Sequence, residues 1–501
     1  MYIARNNLFK SLLQSSSLTV ISKFLTFPIG IYVANIVGAE GYGFFGIATV
    51  TAQFIGYANL GILNGLNREL PIAKGLNSKK TQKDIYNAVF TFLVLSSIFV
   101  TLGISFIFYF NGSLLKITEI SIFALILLIF LSSNLEGFLY NSLKGENQLK
   151  IWAIFVSIRP LLDSFTALTL VAFLGYKGLI ISVVVSKLIA TIFLRHSYKG
   201  PLLKITFSKK IIEILQTSII FMGINALKTL LIKSPIIFAA GVLSIKEIGV
   251  MAFGISNLFI VEKFAGGQIF AVSQRNEFAR VVGKGNSSEN YIETYLRSNN
   301  FLYHILLNGF LGGVLALLYY FIITFFLNDF ITLLPSITNV STFYFLWTII
   351  IFLHQILDIL KLLYTKIAIL SAGVLFFILS IYLDPANQTI DIIFSSYLKS
   401  TLIIFVITYL YFFFKQKGTY VLFSFLSSLA LIALYSIALK ISLEINYNFI
   451  LGVPNRLYLR ELLEFFSTIS MFSLIFLSGS AIIYRSHFKH FLQKLIIMYK
   501  K

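Results

Sequence analysis

Residues Gly38–Pro71, GAEGYGFFGIATVTAQFIGYANLGILNGLNRELP, decide the class of this chain. The stretch opens on a glycine-rich turn (Gly38, Gly41, Gly43, Gly46), runs without formal charge from Gly41 to Asn67, and stops at Arg68, Glu69 and Pro71. About 20 apolar residues rising roughly 1.5 Å each cross the hydrocarbon of a bilayer, so this is a membrane segment entered through a tight turn. Gly41-x-Gly43-x-x-Gly46 matches a dinucleotide-binding fingerprint in letters. That fingerprint works only between a β-strand and a helix, whereas both flanks here are apolar segments of membrane length. The glycines therefore read as a turn joining two membrane helices.

Composition extends this reading to the whole chain. Of 501 residues, 57% are hydrophobic and 12% charged, and mean hydropathy is +0.87, whereas soluble domains carry about a quarter charged residues. The chain is an all-α polytopic membrane protein. A net charge of +20 does not imply nucleic acid, because membrane proteins gather Lys and Arg in their cytoplasmic loops. With no Cys there is no disulfide, thiolate metal site or cysteine nucleophile. Arg5 and Lys10 precede an apolar run reaching about Val37, too long for a signal peptide core, which predicts a retained first helix.

Segments of spanning length fall at about 11–37, 43–67, 85–110, 119–142, 151–174, 178–197, 213–240, 247–272, 299–327, 337–360, 366–383, 387–412, 419–440 and 461–484, which predicts fourteen helices. The connections alternate in charge. Most of the 40 Lys and Arg lie on one side, from Arg5 and Lys10 through Lys74, Lys79, Lys80, Lys83, Lys366 and Arg280 to the tail at 485–501. The other side holds only Lys116, Lys177, Lys246, Lys440, Arg456 and Arg460, so both termini are expected in the cytoplasm. His487 and His490 lie in the basic tail, where they are expected to meet anionic headgroups. No outer loop exceeds about twenty residues and the largest cytoplasmic one is Ser273–Ser298, which leaves no room for a soluble catalytic domain.

A first apolar helix, the turn Gly38, Glu40, Gly41, Tyr42, Gly43 with Phe44 after it, and a second helix carrying Asn59, Leu60, Gly61 and ending in Asn67, Arg68, Glu69 resemble the polysaccharide flippases of the MOP exporter superfamily. That superfamily includes the MATE multidrug transporters and the lipid II flippase. Laying Gly43 on Gly249 exposes an internal repeat at an offset of 206 residues: GYGFFGIAT at Gly41–Thr49 faces EIGVMAFGI at Glu247–Ile255, and Pro28 lands on Ser234, beside Pro235. Six helices per half is an even number, so the halves run parallel and a cavity is expected between them. The predicted organisation is an N-terminal lobe at 1–212, a C-terminal lobe at 213–417, two extra helices at 418–484 and the basic tail. By analogy with the lipid II flippase, the extra helices would frame a groove for a lipid tail.

No residue pattern suits catalysis. The five His are scattered with no HExxH spacing, and neither a Walker A sequence nor a serine nucleophile elbow is present, so no metal, cofactor or enzymatic activity is expected. The informative residues are charges at bilayer depth, each costing about 2.5–3.5 kcal/mol on insertion scales. They are Lys23, Arg159, Asp163, Lys187, Lys228, Lys233, Glu262, Lys263 and Lys399. Cations outnumber anions, which predicts an anionic ligand. Lys23, Lys228 and Lys263 fall mid-helix on helices 1, 7 and 8, which line the cavity in the family this chain resembles. With Lys233 they would hold a pyrophosphate, unless each snorkels to an interface or pairs with a carboxylate. Arg159 and Asp163, four apart, share a helix face and are expected to pair; opening of that pair would let Asp163 take up a proton or sodium ion, with Glu262 a second coupling candidate. Glu136 and Asp358 are expected near helix ends, facing loops. Pro28 and Pro235 predict kinks suited to gating. Gly61 with Gly65, and Gly309 with Gly313, have the spacing for close helix packing.

The resemblance implies translocation of a polyprenyl-diphosphate-linked oligosaccharide across a bacterial cytoplasmic membrane, for O-antigen, capsule or a related polymer. Membrane lipids, a polysaccharide polymerase and glycosyltransferases are the implied partners. A lipid II flippase, a MATE-type exporter and a membrane-embedded polymerase are the alternatives. Because the chain lacks Cys, introduced cysteines report sidedness cleanly. Lys83→Cys should resist a membrane-impermeant maleimide in intact spheroplasts and label after lysis, whereas Lys246→Cys should label in both. The reverse pattern would invert the topology.

Overall fold

The structure, a computed structural model, describes residues 2–76, 78–111, 120–146, 148–198, 200–201, 203–258, 299–360, 362–383, 389–416, 419–450 and 457–484, together with 292 and 296. Among these residues the chain is helical and without strands, as a backbone in hydrocarbon must be if every N–H and C=O is to find a partner within its own segment. By packing it divides into two compact units, Met1–Ala252 and Phe253–Lys501. This packing boundary lies downstream of the lobe boundary at 212/213 drawn from the repeat.

The first unit holds α1 (Tyr2–Ile55), α2 (Ile62–Gly75), α3 (Lys79–Asn111), α4 (Ile120–Gly145), α5 (Leu149–Ser197), α6 (Lys210–Val242) and the start of α7 (Ile245–Leu258). The second holds α8 (Asn299–Phe326), α9 (Ile337–Ile359), α10 (Leu363–Tyr382), α11 (Ile390–Gln416), α12 (Thr419–Ile450) and α13 (Leu457–Ile483). Eleven helical stretches among the described residues are long and apolar enough to cross a membrane. Two of them, Leu25–Asn59 and Ile154–Ser197, are 35 and 44 residues long and each overlaps two predicted segments. The eleven thus hold thirteen of the fourteen predicted segments; the eighth, 247–272, is described only as far as Leu258.

Both double helices bend at a glycine with positive φ. Gly38 has φ 66° and ψ 176°, and Gly175 has φ 56° and ψ −139°, conformations that a Cβ penalises. At Gly175 the chain doubles back. A Cβ on Gly178 would overlap the Leu170 carbonyl oxygen, although residues eight apart in a straight helix stand about 12 Å apart along its axis. The two bends are neighbours: Gly41 abuts Tyr176, and the Phe44 ring stacks on Tyr176 at 5.2 Å. The opposite end of this unit carries the basic loops. There Lys74 donates to the Glu146 carbonyl at 2.6 Å, Arg195 lies over the Tyr198 ring, and Tyr198 packs edge-on against Tyr86. Residues that charge sidedness puts on one face of the membrane therefore do meet at one end of the unit.

The fingerprint glycines prove to be packing residues. A Cβ on Gly43 would overlap the Ile245 carbonyl oxygen, and one on Gly249 would overlap the Ala39 carbonyl oxygen. Under the offset of 206 residues these two contacts exchange, since Gly43 maps to Gly249 and Ala39 to Ile245. A Cβ on Gly46 would lie 2.8 Å from the Cβ of Ala252, its own equivalent. The Gly43 and Gly249 contacts are thus equivalent under the offset, and Gly46 meets its own equivalent. The 206-residue repeat, read from weak letter matches, therefore has a contact geometry of its own.

The second predicted helix departs from expectation. Instead of running unbroken over 43–67, it gives way to a 3-10 turn at Gly56–Asn59, passes left-handed Leu60 (φ 49°) and Gly61 (φ 70°), and resumes as α2. The Asn59 side chain accepts from the Gly61 N–H at 2.9 Å, satisfying part of the opened backbone. α2 then carries Arg68, Glu69 and Pro71 inside the helix before ending at Gly75. The expected packing glycines behave as such: Gly61 and Gly65 lie against Met222, Ile214 and Ser218 of α6, and Gly309 and Gly313 against Phe345, Phe472 and Phe476.

In the second unit α9 is the most enclosed element, with Phe343 to Trp347 all buried among α8, α10, α11 and α12. Its Thr342 hydroxyl meets Ser436 of α12 at 2.7 Å. Gly43→Ala and Gly249→Ala should lower the thermal stability of the detergent-solubilised protein by similar amounts, about 1–3 kcal/mol each from overpacking. Gly30→Ala, with no atom within 4 Å of the new Cβ, should change little. Unequal losses from the first two would refute the reciprocal contact.

Candidate functional site

Glu136 of α4, Arg159 and Asp163 on the first arm of α5, and Lys187 on its second arm form one charge cluster. Arg159 Nη1 lies 3.1 Å from Glu136 Oε1 and its Nη2 3.2 Å from Asp163 Oδ1. Lys187 Nζ donates to Glu136 Oε2 at 3.2 Å, and Arg159 Nη1 donates to the Ser186 carbonyl at 2.9 Å. The predicted Arg159–Asp163 pair is formed, but it is one edge of a larger network. The placement of Glu136 at a loop-facing helix end is corrected. Its side chain is 13% exposed and lies well inside α4, which continues to Gly145 because Leu139, Ser142 and Leu143 pack inward there.

Two cations balance two carboxylates, which is what makes the cluster tolerable at membrane depth. Exposure separates its members: Glu136, Arg159 and Lys187 are 13%, 17% and 20% exposed, and Asp163 is 49% exposed. Glu136 has two cationic partners and little access to solvent, so it is the anchor. Asp163 has one partner and an open side, so it is the loose end.

The broken helix lies beside Lys228. The Tyr57 hydroxyl, within the 3-10 turn, donates to the Asn225 carbonyl of α6 at 3.1 Å and meets the Thr229 hydroxyl. Lys228, next to Thr229, is half-buried and has no hydrogen-bond or ion-pair partner among the described residues. Lys233 is also half-buried on α6, five residues on, and so points to another face of that helix. For Lys23 only the backbone, within α1, is described; Glu262 and Lys263 lie outside the described residues. Lys399 is exposed on α11. Of Lys23, Lys228 and Lys263, the lysines predicted mid-helix on helices 1, 7 and 8, only Lys228 therefore has a described side chain. Pro28 and Pro235 lie within α1 and α6, and the sharp bend in α1 falls at Gly38 rather than at Pro28.

Sequence reading also missed a second buried pair. Lys366, assigned to a basic connection, is 2% exposed in the first turn of α10 and lies 2.5 Å from Asp358 Oδ1, at the end of α9. Only the eight-residue spacing across a tight interhelical turn hinted at it. Glu136 gave no local signal, because its partners are 23 and 51 residues away.

No family model and no curated protein matches the chain. Solved structures do. An inward-facing multidrug resistance MATE family transporter of the MOP superfamily matches with a TM-score of 0.55 and 13% identity over 78% of this chain and 93% of its own. The chain shares the fold of that transporter. Lipid II flippase MurJ, in an inward closed conformation, matches with a TM-score of 0.60 and 16% identity over 94% of this chain and 99% of its own. A MATE protein in complex with MaL6 matches with a TM-score of 0.53 and 12% identity over 80% and 95%.

The cluster predicts a difference between its carboxylates. Glu136→Gln leaves two buried cations short of charge and should cost about 3–5 kcal/mol of stability, whereas Asp163→Asn, at the solvated edge, should cost under about 1 kcal/mol. Thermal denaturation of both variants checks this, and a larger loss at Asp163 would reverse the assignment of anchor and loose end.

Proposed function

We propose that this chain is a flippase of the cytoplasmic membrane that moves a polyprenyl-diphosphate-linked oligosaccharide by alternating access of its two repeats, for assembly of a surface polysaccharide such as O-antigen or capsule. The observation that carries the reading is the excess of cations at bilayer depth within an exporter fold. Glu136 and Asp163 neutralise Arg159 and Lys187, so the expected excess falls on Lys23, Lys228, Lys263 and Lys399 against Glu262. Ammonium groups at that depth favour a diphosphate headgroup. An exporter of organic cations needs the opposite balance.

Lys228 supports the reading most directly, being half-buried and without a partner among the described residues, beside a helix broken at Gly56–Gly61. Interrupted helices of this kind surround substrate sites in secondary transporters. A second reading, transport of lipid II, is favoured by the match to MurJ over 94% of this chain. A polymerase is disfavoured because no outer loop has room for a catalytic domain.

In a strain lacking this gene, the lipid-linked oligosaccharide should stay in the cytoplasmic leaflet, cross when the wild type is restored, and stay again with Lys23→Ala, Lys228→Ala and Lys263→Ala combined at matched expression. Crossing in the deletion strain, with polymer missing, would place the protein after translocation and overturn the reading.

A further inference from the structure

We propose that Arg159 is a binding site for a phosphate ester and that Asp163 is its resident competitor, a carboxylate that an incoming phosphoryl group displaces. The inference deepens the headgroup reading and rests on the transported lipid carrying a phosphate.

The donors are present and underused. A guanidinium offers five N–H groups, and among the described residues the one aligned hydrogen bond of Arg159 goes to the Ser186 carbonyl. Its contacts with Glu136 and Asp163 are ion-pair distances of 3.1 and 3.2 Å. Lys187 directs one of its three ammonium hydrogens to Glu136 and has no other acceptor among the described residues. Phosphoryl oxygens suit a guanidinium edge in two-point contact, a grip that Asp163 does not supply through Oδ1.

The open side of Asp163 lies away from the nearest exposed apolar side chains of α5. On α5 the exposed apolar side chains nearest Asp163 are Ile154, Ile158 and Phe165. At about 100° per residue they lie roughly 140–180° around the helix from Asp163. The 49% exposure of Asp163 therefore opens on the face turned away from that apolar stripe, where a wet cavity is tolerated and hydrocarbon contact is not.

Exposure also decides which carboxylate leaves. Glu136 is enclosed and doubly paired, so removing it would strand two cations. Asp163 exchanges a single pair for water at little cost. Displacement leaves the Glu136–Lys187 link intact, so the brace between α4 and the second arm of α5 survives while Arg159 turns to the ligand. Substrate arrival thereby changes a pairing along the first arm of α5 without stranding an enclosed charge.

The test uses the full chain in phosphatidylcholine nanodiscs, with inorganic pyrophosphate as probe and calorimetry as readout. Asp163→Asn should bind pyrophosphate roughly two- to fivefold tighter than wild type, the gain expected from deleting a half-exposed competing pair. Arg159→Lys, which keeps the charge and loses the planar fork, should bind several-fold more weakly, and Arg159→Gln should not bind. Thermal melts identify any variant that fails to fold, and Arg159→Lys keeps the test decisive if Arg159→Gln does. If Asp163→Asn binds no tighter, or Arg159→Lys binds as wild type does, the proposal is overturned. Adding phosphatidic acid to the nanodiscs separates two sources of the same chemistry: competition with pyrophosphate means the site admits a lipid-borne phosphate, and lack of it means that it takes phosphate from the aqueous side. Pyrophosphate binding that follows these substitutions in a protein whose deletion leaves lipid-linked sugar crossing normally would overturn the flippase reading and leave this site standing.

Discussion

The crossing of α1 and α7 at Gly43 and Gly249 is the contact on which the first unit depends. Each glycine meets a carbonyl oxygen of the other segment, Ile245 or Ala39, at a distance that no side chain permits. In lipid there is little hydrophobic force between helices, and small residues that let backbones touch supply dispersion contact in its place. Because the two contacts exchange under the 206-residue offset, one local geometry is used twice, and Gly46 against Ala252 adds a third close contact. The bends at Gly38 and Gly175 follow from the same need: a chain of about 50 residues must cross, reverse and cross again, and only positive φ turns it in so few residues.

Once the helices are placed, charge governs what the interior can do. Arg159 and Lys187 are stable within the bundle because Glu136 stands between them, and Asp163 completes neutrality from the solvated edge. The Lys366–Asp358 pair does the same work between α9 and α10. Lys228 is handled differently: it remains half-buried beside Tyr57 and the broken helix, with no partner among the described residues. Neutralised charges brace the fold. The MOP exporter fold is found in a drug transporter and in a lipid flippase, so the fold leaves the cargo open and the interior charges bear on it.

The all-α membrane class and thirteen of the fourteen segments were legible in the sequence, because bilayer thickness imposes a length and a composition on each crossing. The Arg159–Asp163 pair was legible too, since residues four apart share a helix face whatever the tertiary structure. Even the repeat left a trace, in glycines that no other residue can replace. The break at Gly56–Gly61 was not legible, because the uncharged run looks like any other membrane helix until α6 offers Asn225 and Thr229 to Tyr57.

Only tertiary structure decided that Glu136 is the anchor of a buried network rather than a loop carboxylate, and that Lys366 is buried rather than basic surface. The physical reason is one of range. Hydropathy, helix periodicity and charge sidedness act along the chain or across a fixed slab of lipid, so the sequence carries them in full. The partner of a buried charge is chosen by which helices pack together, and that choice rests on contacts such as Gly43 with Ile245, whose members stand about 200 residues apart in the chain.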